Sequence, residues 1–234
     1  MTGTIVNTAA IIVGALIGLA LKKGIGDNIK ITVMQGIGLA VLLVGAKMSL
    51  QGTEILVVII SLTLGGICGE LLRVEYRLEK MGLWIENRLG GSGGKGGNVA
   101  RAFVTSSLIY CVGAMAVVGS IEDGLNGNPG TLFAKSMLDG VSAIFFASTM
   151  GVGVLFSSVP VLVYQGSITL MATWMQNILN PYVIDQLTST GGLLIIGVAL
   201  NILGIKKINV GNLLPAIPIV IPLAYYAEKL LVIK

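Results

Sequence analysis

Residues 131–154 read TLFAKSMLDGVSAIFFASTMGVGV. The run is long and apolar enough to cross a bilayer, yet it carries Lys135 and Asp139. Four residues apart, the two share one face of a helix. An Asp at the centre of a membrane helix costs about 2.5–3.5 kcal/mol on insertion scales, so a partner, water or a bound ion must offset its charge. Asp139 lies roughly 12 Å into the span at 1.5 Å per residue, too deep for its one-carbon stem to reach the headgroups. Two readings follow. Either Lys135 simply pairs with Asp139 and snorkels to the near interface, or Asp139 faces an internal polar cavity and binds an ion or solute.

Composition sets the class around this stretch. The chain has 234 residues, 54% hydrophobic and 11% charged, with a mean hydropathy of +0.91. A soluble domain carries about 25% charged residues. The expected fold is an all-α membrane protein, a single transmembrane domain over residues 1–234, with room for about seven to eight spans of ~20 residues. The formal net charge is +4, but the basic residues sit between apolar segments, where they set orientation; nothing here argues for nucleic acid. The chain has no His, which removes the commonest metal ligand and general base, and no metal, cofactor or catalytic residue is expected. Cys68 and Cys111 lie inside apolar segments and read as small core residues, not as a disulfide. The opening Met-Thr-Gly-Thr has no basic region, so the first apolar run reads as a retained span and not a cleaved signal. The 33 Gly fit close helix packing in lipid.

Along the chain, residues 1–72 hold three spans, at 4–21, 29–50 and 54–72. Residues 73–98 break the pattern. Val74, Leu78, Met81, Ile85 and Leu89 recur at helical spacing among charges, which predicts an amphipathic helix on the membrane surface with Tyr76 and Trp84 near the headgroups. A flexible GGSGGKGG linker follows at 90–97. It fails as a phosphate-binding loop because Gly96, and not Ser or Thr, follows Lys95, and no strand precedes it. Residues 99–180 hold three more spans, at 99–121, 131–154 and 161–179, with an acidic loop at Glu122 and Asp123 and a turn at Ser157-Ser158-Val159-Pro160. The polar stretch 180–190 reads as a loop. The C-terminal helices, 191–234, comprise a short span at 191–205, a break near 206–215, and a final span kinked by Pro215, Pro218 and Pro222.

Lys and Arg set the orientation. With the N-terminus outside, Lys22, Lys23, Lys30, Arg73, Arg77, Lys80, Arg88, Lys95, Arg101, Lys206 and Lys207 fall inside, and only Lys47, Lys135, Lys229 and Lys234 fall outside. Both termini are therefore expected outside. The two sets of three spans also look related. Val13-Gly14-Ala15 matches Val112-Gly113-Ala114, and Met34-Gln35-Gly36 matches Leu138-Asp139-Gly140. An odd number of spans per half turns the second half over, which is the inverted-repeat arrangement of secondary transporters, with the site near the midplane.

The N-terminal GTIVNTAAIIVGALIGLALKKGI and the C-terminal GGLLIIGVALNILGIKKINVGNLLPA resemble the domain-of-unknown-function 554 family of bacterial integral membrane proteins. The resemblance covers essentially the whole chain. It implies a bacterial inner-membrane protein and a transporter, with a link to biofilm formation, and it carries over no catalytic or binding residues.

The expected ion- or solute-binding residues are Asp139 with Lys135 as its charge partner, Gln35, Asn201, Asn209, Asn212, Ser148 and Thr149. The three Asn cluster around the break near 206–215, where freed backbone must find partners; they serve either that backbone or a ligand. Ser148 and Thr149 lie where span five has small residues and room to unwind. Asn7 reads as a hydrogen bond to a neighbouring helix. The expected function is secondary transport of a small solute or ion, with H⁺ or Na⁺ as coupling ions, by a homo-oligomer, dimer favoured, surrounded by membrane lipids. The alternative is a non-transporting scaffold or regulator of the cell envelope. An intramembrane enzyme is not expected: there is no His, and an aspartyl protease needs two Asp at depth, where only Asp139 lies.

Overall fold

The computed structural model describes residues 1–21, 27–88, 96–176 and 178–232. Among them the chain is helical and no strand is present. In order the helices are α1 (Thr2–Leu21), α2 (Asp27–Ser49), α3 (Ile55–Leu72), α4 (Val74–Arg88), α5 (Gly96–Cys111), α6 (Ala114–Asn126), α7 (Gly130–Met150), α8 (Gly153–Phe156), α9 (Ser158–Leu170), α10 (Ala172–Met175), α11 (Pro181–Ile202), α12 (Val210–Leu213) and α13 (Ala216–Val232). Six stretches among the described residues are long and apolar enough to cross a membrane, and the bent pair α5–α6 makes a seventh. The glycine-rich linker lies outside the described residues up to position 95, and α5 starts at Gly96.

Three local readings change. The span expected at 99–121 is two helices that bend by 58°. The bend falls at Val112-Gly113, where Gly113 takes φ 144°, a region closed to most side chains. The matching tripeptide Val13-Gly14-Ala15 lies inside continuous α1. The turn expected at 157–160 is helical: Gly153–Leu170 forms one 18-residue crossing stretch, because Pro160 sits in the first turn of α9, where its missing N–H is not needed. The loop expected at 180–190 is the first half of α11. Asn180 caps that helix, its Oδ1 accepting from the Val183 N–H at 3.0 Å, with Pro181 at the first helical position. The polar run Gln186, Thr188, Ser189 and Thr190 is buried. Two of its hydroxyls are satisfied at close range: Thr190 Oγ1 donates to the Gln186 carbonyl at 2.9 Å and Ser189 Oγ to the Ser49 carbonyl at 2.7 Å.

The chain forms two compact units. The first comprises Met1–Met34, Tyr76–Cys111 and Met115–Thr173. Its centre is the parallel pair α1 and α7. A side chain added at Gly3 would meet Leu132, one at Gly14 the Gly140 carbonyl, and one at Gly18 the Ile144 carbonyl. The two helices therefore advance together, touching backbone to backbone through Ala10, Gly14 and Gly18 on one and Gly140, Ala143 and Ala147 on the other, the small-residue spacing of close membrane packing. α7 runs beside α1, but contrary to the reading of 131–154 as a span it is not among the stretches apolar enough to cross a membrane, because Lys135, Asp139 and its Ser residues lower its hydropathy. α9 runs antiparallel to α1, as shown by Thr4 meeting Thr169 and Asn7 meeting Gln165.

The second unit comprises Gln35–Glu75, Val112–Ala114 and Trp174–Lys234. In it α2 and α11 are antiparallel neighbours, with Gly38 against Leu203 and Gly45 against Gly192. α3 packs on α12 and α13 in the same manner, with Gly65 against Ala216 and Gly69 against the Asn212 backbone.

Candidate functional site

The buried face of α1 carries Thr4, Asn7 and Thr8, followed by Ile11, Gly14, Ala15 and Gly18. The spacing i, i+3, i+4 puts the three polar residues on one stripe near the helix start, and the small residues below let α7 come close. This brings Asn7 to Asp139. The Asn7 Nδ2 donates to Asp139 Oδ2 at 3.0 Å and to Gln165 Oε1 of α9 at 3.2 Å. Lys135 Nζ donates to both carboxylate oxygens of Asp139, at 2.9 and 2.7 Å. Just above, the hydroxyls of Thr4 and Thr169 lie 3.3 Å apart. All four central residues are buried: Asn7 and Gln165 are 0% exposed, Asp139 5% and Lys135 7%.

Chemically the cluster is a desolvated ion pair joined to two side-chain amides. The orientation of the amides is set by the carboxylate, which accepts hydrogen bonds only; Asn7 must turn its N–H₂ to it. That leaves Asn7 Oδ1 and Gln165 Nε2 without a hydrogen-bond partner among the described residues. Buried polar atoms are nearly always paired with protein or water, so an acceptor and a donor stand open in the interior of the unit.

The N-terminal end of α1 is anchored in the same unit. Asp123, expected in an outer loop, belongs to α6 and is buried. Its Oδ2 accepts from the Gly3 N–H at 3.1 Å and pairs with the Met1 ammonium at 2.9 Å. A carboxylate at a helix N-terminus satisfies unpaired N–H groups and complements the helix dipole. Its neighbour Glu122 accepts from the Thr131 hydroxyl at 2.7 Å.

The remaining expected residues do other work. Ser148 and Thr149 lie at the end of α7 and donate to carbonyls of their own helix, at Phe145 and Phe146; the helix does stop there, at Gly151 with φ 93°. Gln35 belongs to the second unit and is exposed on α2. In that unit Asn201 spends both ends of its amide on Ile208, donating to its carbonyl at 2.8 Å and accepting from its N–H at 2.7 Å. Asn212 Oδ1 accepts from the Glu75 N–H at 2.8 Å, while its Nδ2 donates to Glu70 at 2.6 Å. Asn201 therefore closes the helix break on itself, and Asn212 ties α12 to the junction of α3 and α4. Asn209 is exposed.

A family model described as "Protein of unknown function (DUF554)" matches residues 2–225. The chain belongs to this family. A DUF554 relative, "Uncharacterized membrane protein YdfK" of Bacillus subtilis (strain 168), is 36% identical over 228 residues, 94% of this chain and 96% of the relative. "Uncharacterized protein YqgA" of Escherichia coli (strain K12) is 26% identical over 224 residues, 95% of each chain. No solved structure matches. With its apolar crossing helices, this DUF554 chain is a membrane protein.

Sequence reasoning missed Gln165 and the joint role of Asn7. Gln165 had a signal: it is the one amide in the otherwise apolar or hydroxyl-bearing α9, SVPVLVYQGSITL. Thr4, Asn7 and Thr8 had one as well, in their shared helical face. What no local pattern gives is their convergence on Asp139.

Proposed function

We propose that this DUF554 protein is a secondary transporter that moves a small solute or ion across the bacterial inner membrane, with Asp139, Lys135, Asn7 and Gln165 as its binding and coupling site. The observation that carries the reading is the desolvated Lys135–Asp139 pair, set among three helices beside two unpartnered amide atoms. Intramembrane charges are costly and mark substrate or ion pathways. The reading takes residues 1–72 and 99–180 as inverted three-helix repeats, assigns no residue a catalytic role, and treats the protein as a homodimer in lipid. To test it, the thermal stability of purified protein is measured across inorganic ions, amino acids and small carboxylates, and any stabilising solute is then offered to proteoliposomes. A substrate raises the melting point of the wild type and is taken up. The variant Lys135→Met/Asp139→Asn shows neither effect. A protein that none of these solutes stabilises and that moves none of them is not this transporter.

A second reading, a scaffold of the cell envelope, draws on α4, where Tyr76 and Trp84 are exposed and Lys80 sits 5.1 Å over the Tyr76 ring. A scaffold shows neither stabilisation nor uptake.

The proposed orientation has both termini outside and residues 73–101 inside. With Cys68 and Cys111 replaced by Ser, Ser92→Cys is expected to resist a membrane-impermeant thiol reagent in intact cells and to react after permeabilisation. Strong labelling of intact cells reverses the topology.

A further inference from the structure

We propose that the ammonium of Lys135 is a tethered stand-in for a monovalent metal cation, and that the site takes an alkali cation which displaces it from Asp139. The inference deepens the transport reading and rests on its choice of this cluster as the site.

The argument starts from what Lys135 does. Its Nζ lies 2.7 and 2.9 Å from the two carboxylate oxygens, and both partners are buried. An ammonium group is a compact point charge with no fixed fork, close in size to a large alkali ion. The room a cation needs therefore already exists, filled by a charge on a flexible four-carbon stem that can withdraw.

Other oxygens complete the set. Asn7 already touches the carboxylate through Nδ2 at 3.0 Å, and its own Oδ1 is buried and unpartnered among the described residues. A half-turn of that amide puts an oxygen, in place of an N–H₂, beside a cation held by Asp139. The same half-turn of Gln165 lets its unpartnered Nε2 donate to the Asn7 oxygen. The hydroxyls of Thr4 and Thr169 lie next to the amides. One carboxylate with neutral oxygens suits a single positive charge. Calcium takes six to eight oxygens, several from carboxylates, and no group of three Asp, Glu, Cys or His stands ready for a metal among the described residues.

The experiment uses full-length protein purified in detergent at constant ionic strength, with choline chloride replaced by lithium, sodium or potassium chloride, and reads the midpoint of thermal unfolding. Lys135→Met removes the tethered competitor. Its midpoint is expected to rise by several degrees with at least one alkali cation over choline, and by more than that of the wild type. Lys135→Arg holds the carboxylate with a bidentate fork that stays charged and is expected to lose the preference, as is Lys135→Met/Asp139→Asn. A Lys135→Met protein that treats alkali cations and choline alike overturns the inference. If Lys135→Met does not accumulate in membranes, the wild type and Lys135→Arg decide: a wild type with no alkali preference overturns it equally. The readout needs no flux. Alkali-selective stabilisation without solute movement keeps this inference and removes the transporter, whereas uptake by a protein blind to alkali cations does the reverse.

Discussion

Lys135→Met lowers the stability of the protein in choline buffer by about 3–5 kcal/mol, the cost of leaving one member of a buried ion pair uncompensated. Lys135→Met/Asp139→Asn recovers most of that loss. The asymmetry follows from the site. The Asp139 carboxylate is desolvated and accepts two hydrogen bonds from Lys135 and one from Asn7. Without Lys135 a charge remains in the interior with a single neutral donor. With both charges gone, Asn at 139 still offers an oxygen to Asn7, and Met fills the volume of the Lys stem. Replacing a buried pair by neutral residues of similar size is often close to neutral. Reversible unfolding of the two purified variants measures the difference. If the double variant is as unstable as the single one, uncompensated charge is not the cause, and the cluster is held by packing alone.

A second large effect is expected at the contact between α1 and α7. Gly14→Leu costs about 3 kcal/mol, at the upper end of overpacking penalties. A β-carbon there would run into the Gly140 carbonyl and the Ala143 side chain. Backbone cannot step aside as a flexible side chain can, so the helices must separate. Separation also lengthens the bond from Asn7 to Asp139, two turns away on the same face of α1. Gly36→Leu on α2 is the control. Nothing lies within 4 Å of a β-carbon there, and the change is expected to stay within about 0.5 kcal/mol, as for exposed positions without special contacts. Equal melting points for the two variants would mean that the close approach of α1 and α7 is not what holds the unit together.

The sequence by itself determined the class of the molecule, the position of most helices and the one charge pair at depth. Hydropathy is a local sum, and ~20 apolar residues suffice to place a helix in lipid; α1, α2 and α3 lie within two residues of their expected bounds at every end. The pair of Lys135 and Asp139 was legible because both sit on one helix, four residues apart. Hydropathy failed where polar residues are buried by tertiary contact. Residues 180–190 read as loop because Gln186, Thr188, Ser189 and Thr190 lower the local sum, yet Gln186, Ser189 and Thr190 find partners in residues 49–54 and in their own backbone. The roles of Asn201 and Asn212 were open in the sequence, since an amide near a helix break can serve backbone or ligand; geometry gives both to backbone and carboxylate partners. Only the tertiary structure decided who meets Asp139. Asn7 is 132 residues away from it in the chain, and Gln165 is 158 residues from Asn7. Their meeting depends on how closely three helices pack, which is set by Gly14, Gly18, Gly140 and the Ala residues between them. Such packing is a property of matched surfaces, and no single helix carries it in its own sequence.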